Sequence, residues 1–179
     1  ARESSGKLWV VYRDKANGTY DIKVAYSDNN GSTWTSETTD TSMSSSTTCC
    51  LAVDSNNTIH MAWYYGSGST RRLYYRYRTN AGTWSEITTL FEELVVGGTV
   101  YTPDIAIDQS DDVHVIFQYW DGANYLLKYT KKTSGVWGSV ELVDTEPDRI
   151  EYPSLAIDSS NYPHITYNKE ILNVDNIYY

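Results

Sequence analysis

Residues 51–65 read LAVDSNNTIHMAWYY, and this stretch recurs as IAIDQSDDVHVIFQYW from Ile105 and as LAIDSSNYPHITYNKE from Leu155. Each copy is an apolar segment that ends in Asp, followed by a short polar turn, a His, and an aromatic residue three positions after that His. The copies start 54 and 50 residues apart. Self-similarity at about this period is typical of solenoids and propeller blades. The sequence therefore predicts a repeat protein.

The polar residues of the repeated turn recur in all three copies. They are Asp54 with His60, Asp108 with His114, and Asp158 with His164. Because each pair flanks one tight hairpin, we expect the Asp and the His to bond across it and to stabilise the turn. Repetition in every unit also spreads the three His around the fold instead of gathering them into one ligand set. We therefore predict a structural role, with no metal site and no cofactor.

The segments around these turns alternate with a period of two. Residues 9–12, WVVY, lead to a turn at Asn17-Gly18 and resume as DIKVAYSD, which predicts a β-hairpin. Aligning Trp9 with the three His places Glu3 at the Asp position, so the first residues are the tail of an inner strand. No segment has sustained helical spacing of apolar residues. We therefore predict an all-β chain of four-stranded antiparallel units.

Such units cannot bury both faces alone, so neighbours are expected to stack face to face around a common axis. We predict a single β-propeller domain over residues 1–179, with units at about 1–47, 48–99, 100–150 and 151–179. A linear β-solenoid is the alternative. About three and a half blades leave sheet faces and edges open. Self-association of two copies into a seven-bladed ring, completion by further sequence, or closure as four blades would each cover them.

Composition narrows the function. The net charge of −9 and a pI near 4.7 argue against nucleic acid and anionic membranes as partners. No apolar run is long enough to span a membrane. Most of the large aromatic side chains are Tyr and Trp, with 17 Tyr and 6 Trp but only 2 Phe. These amphipathic aromatic side chains suit sheet surfaces and wet, sugar-like environments.

Other features bear on location. The adjacent Cys49 and Cys50 cannot join distant segments, and we expect either two reduced thiols or a strained vicinal disulfide. Glycosylation sequons occur at Asn17, Asn30 and Asn56. They fit an exported protein, so we expect a location outside the cell or on a cell or virion surface.

Residues 27–34, SDNNGSTW, match the Asp-box pattern, in which Ser, Asp, Gly, Thr and Trp recur at fixed spacing, with Asn29 in place of the Asp. The stretch resembles the sialidase-type, or BNR-repeat, propellers. Degenerate forms of the same turn precede Trp84 and Trp137. The repeats also resemble those of uncharacterised bacterial, archaeal and phage surface propellers.

The resemblance implies that this turn joins the third and fourth strands of a blade, away from the active face, and is structural. Gly31 supplies a permissive backbone, and Asn29 bonds the amides of the turn. Trp34, Trp84 and Trp137 are then expected to pack between blades. The resemblance to sialidases further implies an arginine triad. The chain departs from it, because Arg13 lies in a Tyr-Arg-Asp context without the family's preceding Arg-Ile-Pro.

Ligand-binding residues of a propeller are expected in the loops that join second to third strands and one unit to the next. Aromatic rings beside carboxylates and Arg are what carbohydrate recognition needs, although such residues are also common on a solvated rim. The candidates in these loops are Arg13, Asp14, Tyr65, Arg71, Glu93, Trp120, Asp121, Arg149 and Glu170. The same loops contain Tyr101 and Glu151.

The leading functional prediction is an exported, non-catalytic propeller that binds glycans or a protein partner through its loops. The alternative is a sialidase-like glycoside hydrolase or a lyase, as a fragment or assembled from two copies. Hydrolysis uses two carboxylates across a cleft, and no motif selects such a pair. No GxSxG nucleophile motif is present either. A purely architectural surface domain is a third hypothesis.

Overall fold

The computed structural model describes residues 1–16, 19–43, 48–67, 69–94, 99–171 and 174–179. The turn predicted at Asn17-Gly18 lies outside these residues. The described residues contain fifteen β-strands and no helix. The predicted all-β class is confirmed, with antiparallel pairing throughout.

The strands form four sheets. The first sheet contains β1 (Leu8–Ala16), β2 (Thr19–Ser27) and β3 (Thr35–Met43). The second contains β4 (Cys49–Val53), β5 (Ile59–Ser67), β6 (Thr70–Arg78) and β7 (Thr88–Leu94). The third contains β8 (Thr99–Ile107), β9 (Val113–Trp120), β10 (Tyr125–Thr133), β11 (Val136–Trp137) and β12 (Glu141–Glu146). The fourth contains β13 (Arg149–Ile157), β14 (Pro163–Ile171) and β15 (Val174–Tyr178).

The N-terminal residues complete the inner edge of the first sheet. Arg2 pairs with Leu8 in an antiparallel bridge. The amide of Trp9 donates to the carbonyl of Ala1 at 2.9 Å, and the N-terminal amine donates to the carbonyl of Trp9 at 2.9 Å. These residues therefore occupy the position of an inner strand, which is the register that aligning Trp9 with the later His predicts.

Successive sheets pack face to face near their inner strands, with β4 beside β8 and β8 beside β13. Both faces of the middle sheets are consequently buried. The core between the first and second sheets contains Trp9, Ile22, Val24, Ile59, Met61 and Trp63. The core between the second and third contains Ala62, Tyr64, Leu73, Tyr75, Ile105, Val113, Val115, Phe117 and Tyr119.

The turn between the first and second strands has one shape in all four sheets. Its fourth residue has a left-handed backbone, a region in which Gly, Asn and Asp are tolerated best. The residues and their φ angles are Gly6 at 94°, Asn57 at 60°, Asp111 at 61° and Asn161 at 66°. A glycine in the first sheet and Asn or Asp in the others thus satisfy the same local geometry.

These turns also join the sheets. In three sheets the side chain of the left-handed residue accepts a hydrogen bond from a backbone amide in the turn of the preceding sheet. The bonds run from Ser4 to Asn57 at 3.1 Å, from Ser55 to Asp111 at 2.9 Å, and from Gln109 to Asn161 at 3.0 Å. A directional series of hydrogen bonds therefore connects the four turns, always from one sheet to the next.

The tryptophans of the third turns differ in their surroundings. The ring of Trp137 meets Tyr75 of the preceding sheet edge-on at 4.9 Å. Trp84 packs at the first interface and donates its indole N–H to Glu37 at 3.2 Å. Trp34, however, is 45% exposed, and its indole N–H donates to Gly31 of its own turn. Among the described residues no other sheet covers Trp34, so its packing between blades stays a prediction.

Candidate functional site

The strand ends form two opposite edges of the stacked sheets. The turn edge carries the first-to-second-strand turns, such as residues 54–58, whereas the loop edge carries the second-to-third-strand loops and the connections between sheets. The nine candidate binding residues all lie at the loop edge: Arg13, Asp14, Tyr65, Arg71, Glu93, Trp120, Asp121, Arg149 and Glu170.

The structure does not bring these nine residues into one cluster. In the first sheet the Arg13 guanidinium lies 4.5 Å over the ring of Tyr20, and Lys23 donates to Asp14 at 2.5 Å. The Lys23 hydrogen bond lowers the pKa of Asp14. Two more candidates contact their own sheets, namely Tyr65, whose ring is 5.7 Å from Tyr74, and Glu170, which lies opposite Arg149 in the β13–β14 pairing.

A pocket of about 190 Å³ opens at the loop edge between the third and fourth sheets, and we call it the Arg149 pocket. The guanidinium of Arg149 is 2.7 Å from the carboxylate of Glu151, so the charged pair in the pocket is neutral overall. Arg149 is the one member of the nine candidates that lines it. The lining residues are Thr102, Gln118, Tyr125, Arg149, Glu151 and Tyr152.

Two lining residues have strained backbones. Thr102 has a φ of 25° and Tyr152 a φ of 51°, values that non-glycine residues rarely adopt. Each precedes a proline, Pro103 or Pro153, and each lies where the pairing register of the inner strand shifts. The same irregularity in two sheets thus turns two side chains away from the ladder at one pocket. Strain of this kind costs about 1–3 kcal/mol and concentrates at functional sites.

The pocket combines polar groups with aromatic surface. The Thr102 hydroxyl is buried and has no hydrogen-bond partner among the described residues, and Gln118 is also buried. The Tyr125 ring lies 4.6 Å from the ring of Trp120, which extends the aromatic surface beyond the lining. The Tyr152 side chain is 66% exposed at the mouth. Aromatic faces beside a guanidinium, an amide and a hydroxyl can stack on a sugar ring and pair with its hydroxyls.

Asp121 shapes this region instead of facing a ligand with a free carboxylate. One of its oxygens accepts from the amides of Asn124 at 2.7 Å and Ala123 at 2.8 Å. These hydrogen bonds, that of Asn124 first, lower its pKa. The carboxylate therefore closes the loop that holds Trp120 and Tyr125 side by side.

A second polar group lies at the loop edge between the second and third sheets. Arg71 and Glu93 face each other across β6 and β7, next to Tyr119 of β9. The Tyr119 side chain is buried, and its hydroxyl has no partner among the described residues. Burial, and then the charges of Glu93 and Asp121, raise its pKa to about 12. This phenol stays protonated at neutral pH and is a hydrogen-bond donor.

The turn edge carries an Asp–His–Tyr arrangement in three sheets. In the second sheet His60 Nδ1 is 2.6 Å from the hydroxyl of Tyr75, and its Nε2 is 3.2 Å from Asp54. The equivalent groups are His114 with Tyr129 and Asp108, and His164 with Tyr179 and Asp158. In the first sheet the indole of Trp9 donates to Glu3 at 2.6 Å in the same place. Because every member lies in its own sheet, the three His do not converge.

Burial governs the ionisation of these groups. It lowers the pKa of His60 and of His114, so both imidazoles are neutral and accept from tyrosine through Nδ1 while donating to Asp through Nε2. Burial opposes ionisation of Asp108, but hydrogen bonds from His114, the amides of Asp112 and Ser110, and Lys131 outweigh it and lower its pKa to about 2. No cluster of His, Cys, Asp and Glu able to hold a metal ion occurs within the described ranges.

The cysteines are both free thiols. Burial raises the pKa of Cys49 to about 11 and raises that of Cys50 as well. Of the two alternatives left open by the sequence, the structure therefore has the reduced pair. The thiolate is the reactive form of cysteine, and a raised pKa keeps both side chains protonated, so neither is activated as a nucleophile.

No protein-family model and no curated protein matches the sequence. Solved structures do match the fold. A polysaccharide lyase of family PL25, an ulvan lyase bound to -[GlcA(1-4)Rha3S]-, superposes with a TM-score of 0.70 over 99% of this chain and 50% of that chain, at 12% identity. A second structure of a PL25 ulvan lyase gives a TM-score of 0.67 over 96% of this chain and 50% of that chain, at 15% identity.

An endo-arabinase from Bacteroides thetaiotaomicron gives a TM-score of 0.62, at 11% identity, over 99% of this chain and 71% of that chain. The chain shares its propeller-like fold with these proteins. At such identities the likeness concerns the fold alone. The chain spans about half the length of the ulvan lyases it matches.

Four residues of the Arg149 pocket are absent from the sequence-based candidates: Thr102, Gln118, Tyr125 and Tyr152. The sequence does carry a signal for two of them, since Thr102-Pro103 and Tyr152-Pro153 occupy the same place within two inner strands. A residue before proline is restricted, and its repetition at one position marks a recurring irregularity. Gln118 and Tyr125 carry no comparable pattern. The side chain of Tyr101, also a loop candidate, lies outside the described residues.

Proposed function

We propose that this chain is an exported, non-catalytic propeller module that binds a glycan through the Arg149 pocket. The observation that carries the proposal is the composition of that pocket, in which Tyr125 and Tyr152 lie beside Arg149, Glu151 and Gln118 between two sheets. Stacking surfaces next to paired donors and acceptors are the chemistry of sugar recognition. The propeller-like neighbours named above act on polysaccharides, which supports a saccharide over a protein as the ligand.

Within the pocket the charges favour a neutral sugar unit. The Arg149 guanidinium is already paired with Glu151 at 2.7 Å, so it has no excess positive charge for an acidic group. Bidentate donors on Arg and acceptors on Glu both bond to sugar hydroxyls. The net charge of −9 acts in the same direction by repelling polyanions at low salt.

An enzyme is the second candidate, because the fold matches a lyase and an arabinase. Against hydrolysis, Glu151 is the one carboxylate among the residues that line the pocket, whereas glycosidases use two. We therefore favour binding without turnover.

The turn of residues 27–34 adds support for a sialidase-type repeat, since Asn29 accepts from the Thr33 amide at 2.8 Å and Ser27 accepts from the Gly31 amide at 2.8 Å.

Export rests on the sequons and on the glycan ligand. Asn30 is exposed at the tip of its turn, so its side chain is accessible for glycosylation. The side-chain amide of Asn56, by contrast, donates a hydrogen bond to Asp111 at 3.1 Å. The described residues contain no helix suited to crossing a bilayer. We propose a location at a cell or virion surface or in the medium.

The test is a glycan array followed by calorimetry with the best ligand. Tyr152→Ala and Arg149→Ala are expected to weaken binding at least about tenfold, since stacked aromatic and Arg groups dominate such contacts. Tyr162→Ala is the matched control, because Tyr162 is 67% exposed at the turn edge. Incubation with arabinan, ulvan and sialyl substrates, monitored for reducing ends and for unsaturated products, tests turnover. Catalysis that is lost in Tyr152→Ala would establish the enzyme instead.

A further inference from the structure

Each end sheet has a face that no other sheet of the described chain covers, and both faces expose large apolar side chains. On the first sheet Val10 is 42%, Tyr12 36% and Trp34 45% exposed. On the fourth sheet Ile177 is 81% and Tyr179 84% exposed. Clustered apolar side chains of this kind mark interaction surfaces.

The exposed residues of the first sheet stand where the second sheet has interface residues. The aligned turns place Val10 at the position of Met61 and Tyr12 at that of Trp63, and both counterparts are fully buried against the first sheet. Trp34 likewise stands at the position of Trp84. The open face of the first sheet is therefore the side with which the second and third sheets contact the sheet before them.

The exposed residues of the fourth sheet belong to the opposite side of the same interface. Ile177 stands at the position of Leu73, and Tyr179 at that of Tyr75. Leu73 and Tyr75 are buried where the second sheet receives the third. The two open faces are thus the two complementary halves of a contact that already recurs within the chain.

We propose that the open face of the fourth sheet receives the open face of the first sheet from a second copy of this chain. In this head-to-tail contact Trp34 packs against Tyr179 as Trp137 packs edge-on against Tyr75. A second copy is the occupant because this chain itself carries both halves of the contact, in the alternation that its internal interfaces use. Such a heterologous contact either closes into a ring or extends.

One bond of the internal interfaces is missing at this contact. The turn-to-turn hydrogen bond needs a side-chain acceptor at the left-handed position, and the first sheet has Gly6 there. An added Cβ at Gly6 would lie 3.5 Å from the Arg2 side chain, which is an ordinary contact, and the φ of 94° strains any side chain there in the free and the associated chain alike, with Asn among the residues that tolerate it best. Gly6→Asn therefore supplies the acceptor that Asn57 and Asn161 supply elsewhere. The proposed contact is accordingly weaker than the internal ones and open to strengthening.

The first test is sedimentation velocity over a concentration series. The wild-type chain is expected to reach a mass of twice 20.4 kDa or more. Trp34→Ala and Tyr179→Ala should each raise the dissociation constant about 30-fold, the size expected of a central aromatic contact. Gly6→Asn should lower it about fivefold, as one added hydrogen bond would. Leu142→Ala is the control, because Leu142 is 58% exposed on the outer strand of the third sheet.

A wild-type chain and a Gly6→Asn chain that both stay monomeric at every concentration would overturn the proposal, as would association that Trp34→Ala and Tyr179→Ala leave unchanged. Cross-linking with a short bismaleimide reagent then checks the orientation, because rings in contact do not bring two Cβ atoms to the spacing of about 3.5–4.5 Å that a direct disulfide needs. Trp34→Cys chains mixed with Tyr179→Cys chains should cross-link, whereas either variant alone, and the wild-type chain with its two native thiols, should not. Cross-linking of Trp34→Cys chains with each other would show a different, face-to-face contact and refute the head-to-tail arrangement. Glycan binding is independent of these outcomes.

Discussion

The carboxylate of Asp111 accepts two hydrogen bonds from Ser55, one from its amide at 2.9 Å and one from its hydroxyl at 2.6 Å, although the two residues belong to different sheets. The contact joins two tight turns, so it fixes the spacing of two sheets at their turn edge. The left-handed backbone of Asp111, with a φ of 61°, places the carboxylate for it.

Removal of this acceptor should destabilise the stack. Asp111→Gly keeps the backbone conformation accessible and removes both bonds from Ser55 together with the bond from the Asn56 side-chain amide, so we expect the free energy of unfolding to fall by about 1–2 kcal/mol. Asp111→Asn retains one side-chain oxygen acceptor and is the matched variant, with an expected loss of less than about 0.5 kcal/mol. Urea unfolding of the three chains measures the difference. Equal stability of wild type and Asp111→Gly would show that the hydrogen bonds to the Asp111 carboxylate contribute nothing to the free energy of unfolding.

The buried histidines predict a pH dependence of stability. Burial lowers the folded pKa of His60 and His114 below the value of about 6.5 expected in the unfolded chain. As the pH falls through that range the unfolded chain binds more protons, so the stability present above about pH 7 is lost toward pH 5. In His114→Gln this slope should be shallower. An unchanged slope would contradict the neutral state assigned to His114.

A separate acid transition is expected from Asp108. Its folded pKa of about 2 lies below the unfolded value of 3.8, so it stabilises the fold above about pH 4, and that contribution disappears as the pH falls toward 2. Asp108→Asn should remove this part of the acid unfolding curve, as followed by circular dichroism. The part due to the histidines should persist in that variant, which separates the two effects.

Trp137 should contribute to stability through its contact with Tyr75 across the sheet interface. Trp137→Ala is expected to lower the free energy of unfolding by about 2–3 kcal/mol, somewhat less than a fully buried tryptophan, because the side chain is half-buried. Val136→Ala is the control in the neighbouring position, since Val136 is 70% exposed, and it should cost less than about 0.5 kcal/mol. Similar losses in both variants would mean that the turn, and not the indole contact, matters.

Tyr152 should separate stability from ligand binding. Its φ of 51° is strained for tyrosine and accessible to glycine, so Tyr152→Gly releases about 1 kcal/mol of strain while losing a similar amount to backbone entropy. The expected midpoint of thermal unfolding is therefore close to that of wild type, whereas glycan affinity falls at least about tenfold. A strongly destabilised Tyr152→Gly chain would show that the ring packs structurally.

The sequence predicts most of the sheet architecture because the repeat fixes where chain segments turn. Aligning Trp9 with the later histidines also places Glu3 correctly, since the Trp9 indole donates to Glu3 where His60 contacts Asp54. The tyrosines of the Asp–His–Tyr arrangement have a visible signal, because Tyr75, like its counterparts, follows its His by 15 residues. The His and the Tyr lie on two different strands, so a search for short local motifs does not detect this spacing.

The candidate site was harder to predict, for physical reasons. The position of a residue in a loop predicts at which edge of its sheet the residue lies. It does not predict which residues of neighbouring sheets come together in space. Arg149 lines one pocket with Tyr125 and Gln118 because the third and fourth sheets stack there, whereas the Arg13 guanidinium lies over Tyr20 of its own sheet. Trp34 shows the same limit, since its packing depends on a neighbour and not on its own turn.

All six residues that line the Arg149 pocket come from the third and fourth sheets. In a stacked repeat the energetic influence of a substitution decays beyond the adjacent unit. The ligand preference that we propose for this pocket can therefore be changed by substitutions at this edge, while the aromatic core between the first two sheets keeps the molecule folded. The fold separates the part that is free to diversify from the part that must be conserved in shape.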